Sequence, residues 1–180
     1  MPGCSFRIVD PISMQSLPIG EDGLILISGT QVMLGYLNDK EKTDSVIAEM
    51  DGRRWYKSGD KGHLDADGFL TIVDRYSRFA KLGGEMISLG AVEHEIRKVI
   101  DDADVEMVAV NIPDEKKGEQ VVLLITHDID SNELRKRLLE INCNPMMIPS
   151  VVKYVATIPK LGSGKTDFGG AKKFALELGV

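Results

Sequence analysis

Residues 63–75 read HLDADGFLTIVDR, and this stretch decides how the first half of the chain folds. Its polar Asp-Ala-Asp-Gly segment, residues 65–68, lies between His63-Leu64 and Phe69-Leu70 and ends on a glycine, which is typical of a hairpin turn. Residues 69–73 are rich in side chains that favour β-strands. We therefore predict two strands joined by a turn at Gly68, with the β-rich half of the chain ending near Asp74.

The sequence upstream of this hairpin has the same β-rich character. Residues Ser5–Val9 alternate between polar and apolar side chains, and Leu24–Ser28 is a compact apolar run. Glycines and Asp/Asn clusters separate such segments at short intervals, as in a small barrel or sandwich. We expect a small β-barrel-like subdomain over residues 1–74.

Downstream of Asp74 the pattern becomes mixed. Ala91–Ile100 carries apolar residues at helical spacing, and Asp130 can cap a second helix, with a glutamate at the capping-box position three residues later. Three further runs indicate strands: Val105–Ile112, Val121–Thr126 and Val151–Thr157. This order predicts an α+β domain over residues 75–180, with its helices on one face of a sheet.

The composition is that of a globular protein with an acidic balance. The chain has 180 residues, 43% of them hydrophobic, and 22 Lys+Arg against 28 Asp+Glu give a net charge of −6. This charge argues against a general nucleic-acid binder. The longest apolar run, Val121–Ile125, is far shorter than a membrane span, and no secretion signal opens the sequence. Cys4 and Cys143 can form neither a disulfide framework nor a four-ligand zinc site, so we expect a reduced, cytoplasmic setting.

Two segments mimic ligand-binding motifs. LGSGKT at residues 161–166 has the end of a phosphate-binding P-loop, but Pro159 stands where that motif needs its first glycine. The Asp-Ala-Asp-Gly segment matches part of a calcium loop, but strands instead of helices are predicted on both sides of it. The three histidines share no metal-ligand spacing. We predict no metal site in this chain.

Asp60 and Lys165 are the two residues whose sequence surroundings suit ligand binding or catalysis. Asp60 ends a predicted strand after a glycine, and an ionised carboxylate there can accept two hydrogen bonds from a vicinal diol such as a ribose. Lys165 lies in a Gly-Ser-Gly-Lys loop, where its point charge suits an oxyanion or a phosphate. The same patterns also fit a turn aspartate bound to backbone N–H groups and an exposed surface lysine, so the residues alone leave both alternatives open.

Four segments in their order resemble motifs of the adenylate-forming acyl-activating synthetase superfamily, which includes acyl-CoA synthetases, peptide-synthetase adenylation domains and luciferases. They are Gly23–Gly29 with Gly35–Asn38, Trp55–Asp60, Asp74–Lys81 with Gly84 and Glu93, and Ile158–Lys165. Together they extend over nearly the whole chain. The resemblance implies a β-barrel-like subdomain followed by a mobile α+β C-terminal lid domain.

Within this superfamily, three segments are most similar to the synthetase half of bacterial bifunctional 2-acylglycerophosphoethanolamine acyltransferase/acyl-[acyl-carrier-protein] synthetases: Arg78–Lys81, Gly84–Leu89 and Leu161–Phe168. Most superfamily members carry an acid where this chain has Arg78 and a polar residue where it has Met86. Both departures favour the carrier-protein branch. Ala91, where a glutamate is usual, has no such explanation.

The resemblance implies a role for each chemical position. Asp60 binds the ribose hydroxyls of ATP and of the acyl-adenylate, and Arg75 holds the same nucleotide. Lys165 bridges the substrate carboxylate and the α-phosphate as charge builds in the transition state, where such a contact lowers the barrier most. ATP and Mg²⁺ are the implied cofactors, with the metal ligands outside this chain.

The resemblance also implies a hinge and a second active loop. Ser77 stands at the hinge position, near residues 75–78, and the lid rotates about it after pyrophosphate leaves. Lys81 and Gly84 then face the adenylate in the thioester-forming loop. There Gly84 lets a phosphopantetheine arm pass, and Lys81 supplies a charge.

The expected function is ATP-dependent ligation of a fatty acid to acyl carrier protein, in phospholipid and fatty-acid re-acylation. Lysines between Lys153 and Lys173, with Arg135–Arg137, suit an acidic carrier protein, and they are equally typical of a solvated surface. The alternatives are an acyl-CoA ligase and a non-catalytic module that docks a carrier protein.

Several elements that the superfamily needs are missing from this sequence. These are the Ser/Thr/Gly-rich phosphate loop, the aromatic-Gly-x-Thr-Glu segment and the acyl pocket. We therefore expect the chain alone to be inactive. It would work within a longer parent in the cytoplasm, at the inner face of the bacterial inner membrane.

Overall fold

The computed structural model describes residues 3–114 and 118–179 of the chain. They form two units, Met1–Ser77 and Arg78–Val180, with a 3₁₀ turn at Tyr76–Arg78 where one unit ends and the other begins. Each unit has its own sheet and its own buried core.

The first unit is one curled antiparallel sheet with a short helix. Its central strand is β4 (Arg53–Leu64), which is 12 residues long. The strand order is β1-β2-β4-β3, and β5 also pairs with β4. The remaining elements are β1 (Ser5–Val9), β2 (Gly23–Ser28), α1 (Lys40–Val46), β3 (Ile47–Met50) and β5 (Leu70–Arg75). The buried side chains Val9, Leu24, Leu26 and Trp55 form the core of this unit.

The hairpin predicted from residues 63–75 is confirmed. Leu64 of β4 pairs with Leu70 of β5, and the Asp65 N–H donates to the Phe69 carbonyl at 3.0 Å. The Asp65 carboxylate accepts hydrogen bonds from two backbone N–H groups of the turn, at 3.0 and 2.8 Å. Gly68 has a φ of +85°, a left-handed conformation that glycine adopts without steric cost.

Helix α1 was not predicted from the sequence. The Asp39 carboxylate caps it by accepting the Lys42 N–H, but none of its residues is buried. An amphipathic pattern arises only where one helix face packs against a core, so an exposed helix of this length leaves no such pattern in the sequence.

The second unit is a mixed sheet covered by three helices. Its strand order is β10-β9-β6-β7, and β8 pairs with β9 along its whole length. Only β10 runs parallel to its neighbour β9 among the strand pairs described. The elements are β6 (Phe79–Leu82), β7 (Glu85–Ser88), α2 (Leu89–Val99), β8 (Met107–Asp114), β9 (Gly118–Ile125), α3 (Ser131–Glu140), β10 (Val151–Tyr154) and α4 (Phe168–Glu177).

The two predicted helices share one face of this sheet, as expected, but the prediction that all helices lie there is wrong because of α4. Helices α2 and α3 pack on one face, whose core includes Ala109 and Leu123. Helix α4 packs on the opposite face through Ala171 and Ala175, against a second cluster that includes Val108. Neighbouring strand residues point to opposite faces, so β8 supplies side chains to both cores.

Helix α4 escaped prediction because of its small residues. Gly169 and Gly170 lower its helix propensity, and alanines form its buried stripe.

The predicted cap of α3 is confirmed, since the Asp130 carboxylate accepts the N–H groups of Asn132 and Glu133. The Glu133 side chain binds Arg137 at 2.8 Å, one turn later. No helix in the described part of the chain is long and apolar enough to cross a bilayer.

Candidate active site

Asp60 lies on a bulge inside strand β4. On β2, Leu24 pairs with Lys61 and Leu26 pairs with Lys57, so three residues of β4, 58–60, oppose a single residue of β2. Gly59 takes a φ of +78°, which such a bulge requires. The expectation that Asp60 ends a strand is therefore wrong, because β4 continues to Leu64.

Ser58 fixes the shape of this bulge. Its hydroxyl donates to the Ile25 carbonyl at 2.8 Å and accepts the Asp60 N–H at 3.0 Å. A hydroxyl can do both at once, since it carries one donor and two acceptor lone pairs. The Ser58 hydroxyl thus holds the backbone of Asp60, and the Asp60 side chain remains available for other contacts.

Asp60 and Arg75 contact each other across two neighbouring strands. They are register partners on β4 and β5, and the Arg75 Nε donates to Asp60 Oδ1 at 3.1 Å. The Asp60 side chain is 22% exposed and the Arg75 side chain 66% exposed. Within the described residues Asp60 Oδ2 makes no hydrogen bond, so it can accept one from a ligand hydroxyl beside the exposed guanidinium.

Lys165 lies on a tight hairpin turn between β10 and α4. The Leu161 N–H donates to the Lys165 carbonyl, and the Gly164 N–H donates to the Leu161 carbonyl, both at 2.8 Å. Gly164 has a φ of +81°, as expected for a three-residue loop with a glycine at its left-handed position. The Asp167 N–H bonds to the Pro159 carbonyl at 2.9 Å, and the Asp167 carboxylate caps α4.

The backbone at Lys165 is therefore held by hydrogen bonds on both sides of the turn. Its side chain is exposed, and in the part of the chain that the structure describes its ammonium has no carboxylate partner. Lys160, on the stem of the same turn, is ion-paired with Glu106. Lys165 is thus the cation of this turn that is free to meet an anionic ligand.

Lys81 and Gly84 lie on the β6–β7 hairpin. Leu82 pairs with Glu85, so Gly83 and Gly84 form a two-residue turn with φ values of +58° and +98°. Positive φ at both positions is typical of a type I′ turn. Lys81 is exposed on β6, and its register partner Met86 on β7 is also exposed.

Ser77, the predicted hinge residue, is the last residue of the first unit and lies in the 3₁₀ turn. The next residue, Arg78, is held inside the second unit. Its Nη2 donates to Glu93 Oε1 at 2.6 Å, and its guanidinium lies 4.1 Å from the centre of the Phe168 ring. Glu93 Oε1 also accepts the Ala109 N–H at 2.8 Å.

The structure brings some of the predicted site residues together inside each unit. In the first unit, Asp60 and Arg75 contact each other. In the second unit, Lys81 and Gly84 lie on the β6–β7 hairpin, and Lys165 lies on the separate turn between β10 and α4. The described residues contain no group of three or more His, Cys, Asp or Glu side chains that could hold a metal ion. Sequence analysis also overlooked the contact of Arg78 with Glu93, although both lie in the segment quoted for the superfamily.

Comparison with known proteins gives relatives but no matching protein-family profile. The chain is 35% identical over 148 residues to a 2-succinylbenzoate–CoA ligase from Listeria monocytogenes serotype 4b (strain F2365), covering 82% of this chain and 30% of that protein. It is 34% identical over 177 residues to a D-alanine–D-alanyl carrier protein ligase from Listeria monocytogenes serovar 1/2a, covering 92% and 33%.

A solved structure has the same fold. The crystal structure of ATP-bound MatB from Rhodopseudomonas palustris matches with a TM-score of 0.84 and 25% sequence identity, over 99% of this chain and 35% of that one. The chain thus spans about a third of the length of each of these three proteins.

Proposed function

The chain belongs to the adenylate-forming ligase superfamily, matching the C-terminal part of its members, and from this premise we propose that it works within an ATP-dependent acid–thiol ligase. The observation that carries the proposal is the Asp60–Arg75 pair. It offers an unused carboxylate oxygen and an exposed guanidinium side by side, which suits a ribose diol and a nearby phosphate.

The proposed reaction has two steps. In the first, the substrate carboxylate attacks the α-phosphorus of ATP, the bond to the β-phosphate oxygen breaks, and pyrophosphate leaves an acyl-adenylate. In the second, a thiol sulfur attacks the acyl carbon, the bond to AMP breaks, and a thioester forms. Mg²⁺ would accompany ATP, with ligands outside this chain.

Lys165 would stabilise the charge that builds on the α-phosphate in the first step. Its turn is closed by backbone hydrogen bonds, and its ammonium is not neutralised by a carboxylate within the described residues. A preorganised cation of this kind acts most strongly where charge develops in the transition state.

Rotation about Ser77 would then move Lys165 out of the active site and bring the β6–β7 hairpin into it. The division of the chain directly after Ser77 supports a pivot there, because the backbone on either side belongs to different units. Lys81 would supply a positive charge to the thioester step, and the Gly83-Gly84 turn presents no side chain that could obstruct a phosphopantetheine arm.

We propose a fatty acid as substrate and acyl carrier protein as acceptor, as in the synthetase half of the bifunctional phospholipid acyltransferases. Arg135 and Lys136 support a carrier protein, because both are exposed on α3 and the described residues give neither of them a carboxylate partner. Positive side chains of this kind attract an acidic partner. CoA remains a second candidate, since a CoA ligase is as similar to this chain as the carrier-protein ligase is.

The test uses the full-length enzyme that carries this chain, with labelled fatty acid, ATP and Mg²⁺. Holo carrier protein and CoA are offered in separate reactions, and labelled thioester is counted in each. Label on the carrier protein supports the first candidate, and label on CoA alone supports the second. No label on either thiol, together with binding to the carrier protein, would make the chain a docking module.

Lys165→Ala tests the proposed chemistry. Loss of one such stabilising contact typically costs about 10²–10³-fold in rate. Lys173→Ala is the matched control, because Lys173 is an exposed lysine of α4 whose nearest carboxylate, on Glu177, is 3.8 Å away. Acyl-adenylate formation by Lys165→Ala within about threefold of the control would refute the role of Lys165.

A further inference from the structure

A chain of polar side chains connects helix α4 to the β6–β7 hairpin. Lys172 Nζ on α4 donates to Asn111 Oδ1 on β8 at 3.2 Å, and Asn111 Nδ2 donates to Glu119 Oε1 on β9 at 2.7 Å. Glu119 Oε2 in turn accepts the backbone N–H of Lys81 at 2.5 Å. This series of hydrogen bonds therefore ends at Lys81, the residue that would supply a positive charge in the proposed second step.

Among residues 3–114 and 118–179, the register pairs give the hairpin one backbone link to the rest of the sheet. Strand β6 pairs with β9 at one position in the described residues, Leu82 with Gly118. A two-stranded hairpin is marginally stable by itself. The Glu119 carboxylate accepts the N–H of Lys81, the residue next to this pair. This side-chain hydrogen bond replaces a further backbone hydrogen bond between β6 and β9.

Lys172 and Glu119 together fix the orientation of the Asn111 side-chain amide. A lysine ammonium can only donate, so Asn111 must present its oxygen to Lys172. A carboxylate can only accept, so the amide nitrogen must face Glu119. The same nitrogen lies 3.4 Å from the Phe79 carbonyl, which adds a second weak contact to β6.

We propose that Glu119 is a positioning residue for the thioester-forming hairpin. Through Lys81 and Asn111 it fixes the hairpin relative to α4, the helix that follows the Lys165 turn. The inference rests on the proposed function, and it assigns Glu119 to the thioester step alone. Glu119 touches no reacting atom in this scheme.

The test is Glu119→Gln in the full-length enzyme. Glutamine keeps one acceptor oxygen, but its amide nitrogen meets either the Lys81 N–H or the Asn111 amide donor to donor, so one of the two contacts is lost. Acid-dependent ATP–pyrophosphate exchange should stay within about twofold of wild type. Single-turnover transfer from preformed acyl-adenylate to the thiol should fall about 10- to 100-fold, as expected when a reacting group is displaced by about 1 Å.

A readout that needs no enzymatic activity accompanies these rates. Hydrogen exchange at the Lys81 amide should become faster in Glu119→Gln, because the Lys81 N–H then faces either an amide nitrogen or a neutral amide oxygen, which accepts a hydrogen bond more weakly than a carboxylate does. Glu140→Gln, an exposed substitution on α3, is the matched control and should leave all three measurements unchanged. Lys172→Met frees the Asn111 amide to turn, and it should lower the transfer rate in the same direction by a smaller factor.

The outcomes separate the two proposals. Equal losses in both half-reactions, an unchanged transfer rate, or unchanged Lys81 amide exchange would overturn the positioning role. A wild-type enzyme without either half-reaction would overturn the proposed function instead. In that case the amide exchange still decides whether Glu119 holds the hairpin.

Discussion

Arg78 and Glu93 form an ion pair that is largely removed from solvent. Arg78 Nη2 lies 2.6 Å from Glu93 Oε1, and the two side chains are 12% and 21% exposed. The Phe168 ring covers the guanidinium, so the first residue after Ser77 is attached to both α2 and the start of α4. This attachment would place the C-terminal limit of the proposed hinge at Arg78.

Arg78→Ala should strongly destabilise the second unit. Removing one partner of this largely desolvated pair leaves the other charge poorly compensated, which costs up to about 3 kcal/mol. The measurement is the free energy of unfolding in urea, followed by hydrogen exchange at amides of β8 and β9. Arg137→Ala is the control, because its ion pair with Glu133 is exposed and should contribute less than about 1 kcal/mol. Equal losses in the two variants would show that the Arg78 pair is no stronger than a surface pair.

Asp60→Asn should weaken nucleotide binding without unfolding the first unit. An amide at this position loses the charge that strengthens hydrogen bonds to ribose hydroxyls, and such a bond contributes about 1.5–3 kcal/mol, or about 10- to 100-fold in Kd. The measurement is an ATP titration of the full-length enzyme, repeated with an ATP analogue that lacks both ribose hydroxyls.

The analogue separates the ribose contact from a general effect. Asp60→Asn should bind ATP more weakly but should bind the analogue nearly as well as wild type does. The exposed substitution Asp101→Asn should change neither affinity. An equal loss for both nucleotides in Asp60→Asn would contradict a contact to the ribose.

Thiol reagents should distinguish Cys143 from Cys4. Cys143 is buried against α2 and α3, and this burial raises the pKa of its thiol, with the Glu95 carboxylate adding to the effect. Because the thiolate is the nucleophile, a raised pKa leaves less of it at a given pH. The folded chain should therefore react with iodoacetamide at Cys4 first, and Cys143 should require a higher pH or a denaturant. Equal labelling of both in the folded chain would show that the core between the sheet and helices α2 and α3 is open to solvent.

Regular patterns made most of the strands and two of the helices predictable, whereas β3, β6 and β7 were not predicted. β1, β2, β5, β8, β9 and α2 follow from alternation, apolar runs or helical spacing, which depend on neighbours in sequence. Helix α4 buries only alanines, and α1 buries nothing, so neither produces a pattern of large apolar residues. The position of α4 on the second face of the sheet is a consequence of tertiary packing.

The candidate site divides in the same way. Asp60, Arg75 and Lys165 could be named because they lie in contiguous motifs. Their geometry could not be, since the bulge at residues 58–60 depends on a register shift against β2. Glu119 lay beyond prediction, because its partners Lys81 and Asn111 are distant in sequence and meet only in the folded sheet.

Gly62→Ala should disrupt the pairing that brings Arg75 to Asp60. A methyl group on Gly62 would lie 2.1 Å from the Thr71 carbonyl oxygen of β5 and 2.9 Å from Ile25, so β4 and β5 would have to separate. Overpacking of this kind typically costs about 1–3 kcal/mol. Gly162→Ala is the control for the unfolding measurement alone, because nothing lies within 4 Å of its added methyl group. We expect Gly62→Ala to lower both the free energy of unfolding of the first unit and the ATP affinity of the full-length enzyme. A variant that loses stability but binds ATP normally would show that the Asp60–Arg75 pair does not depend on the β4–β5 register.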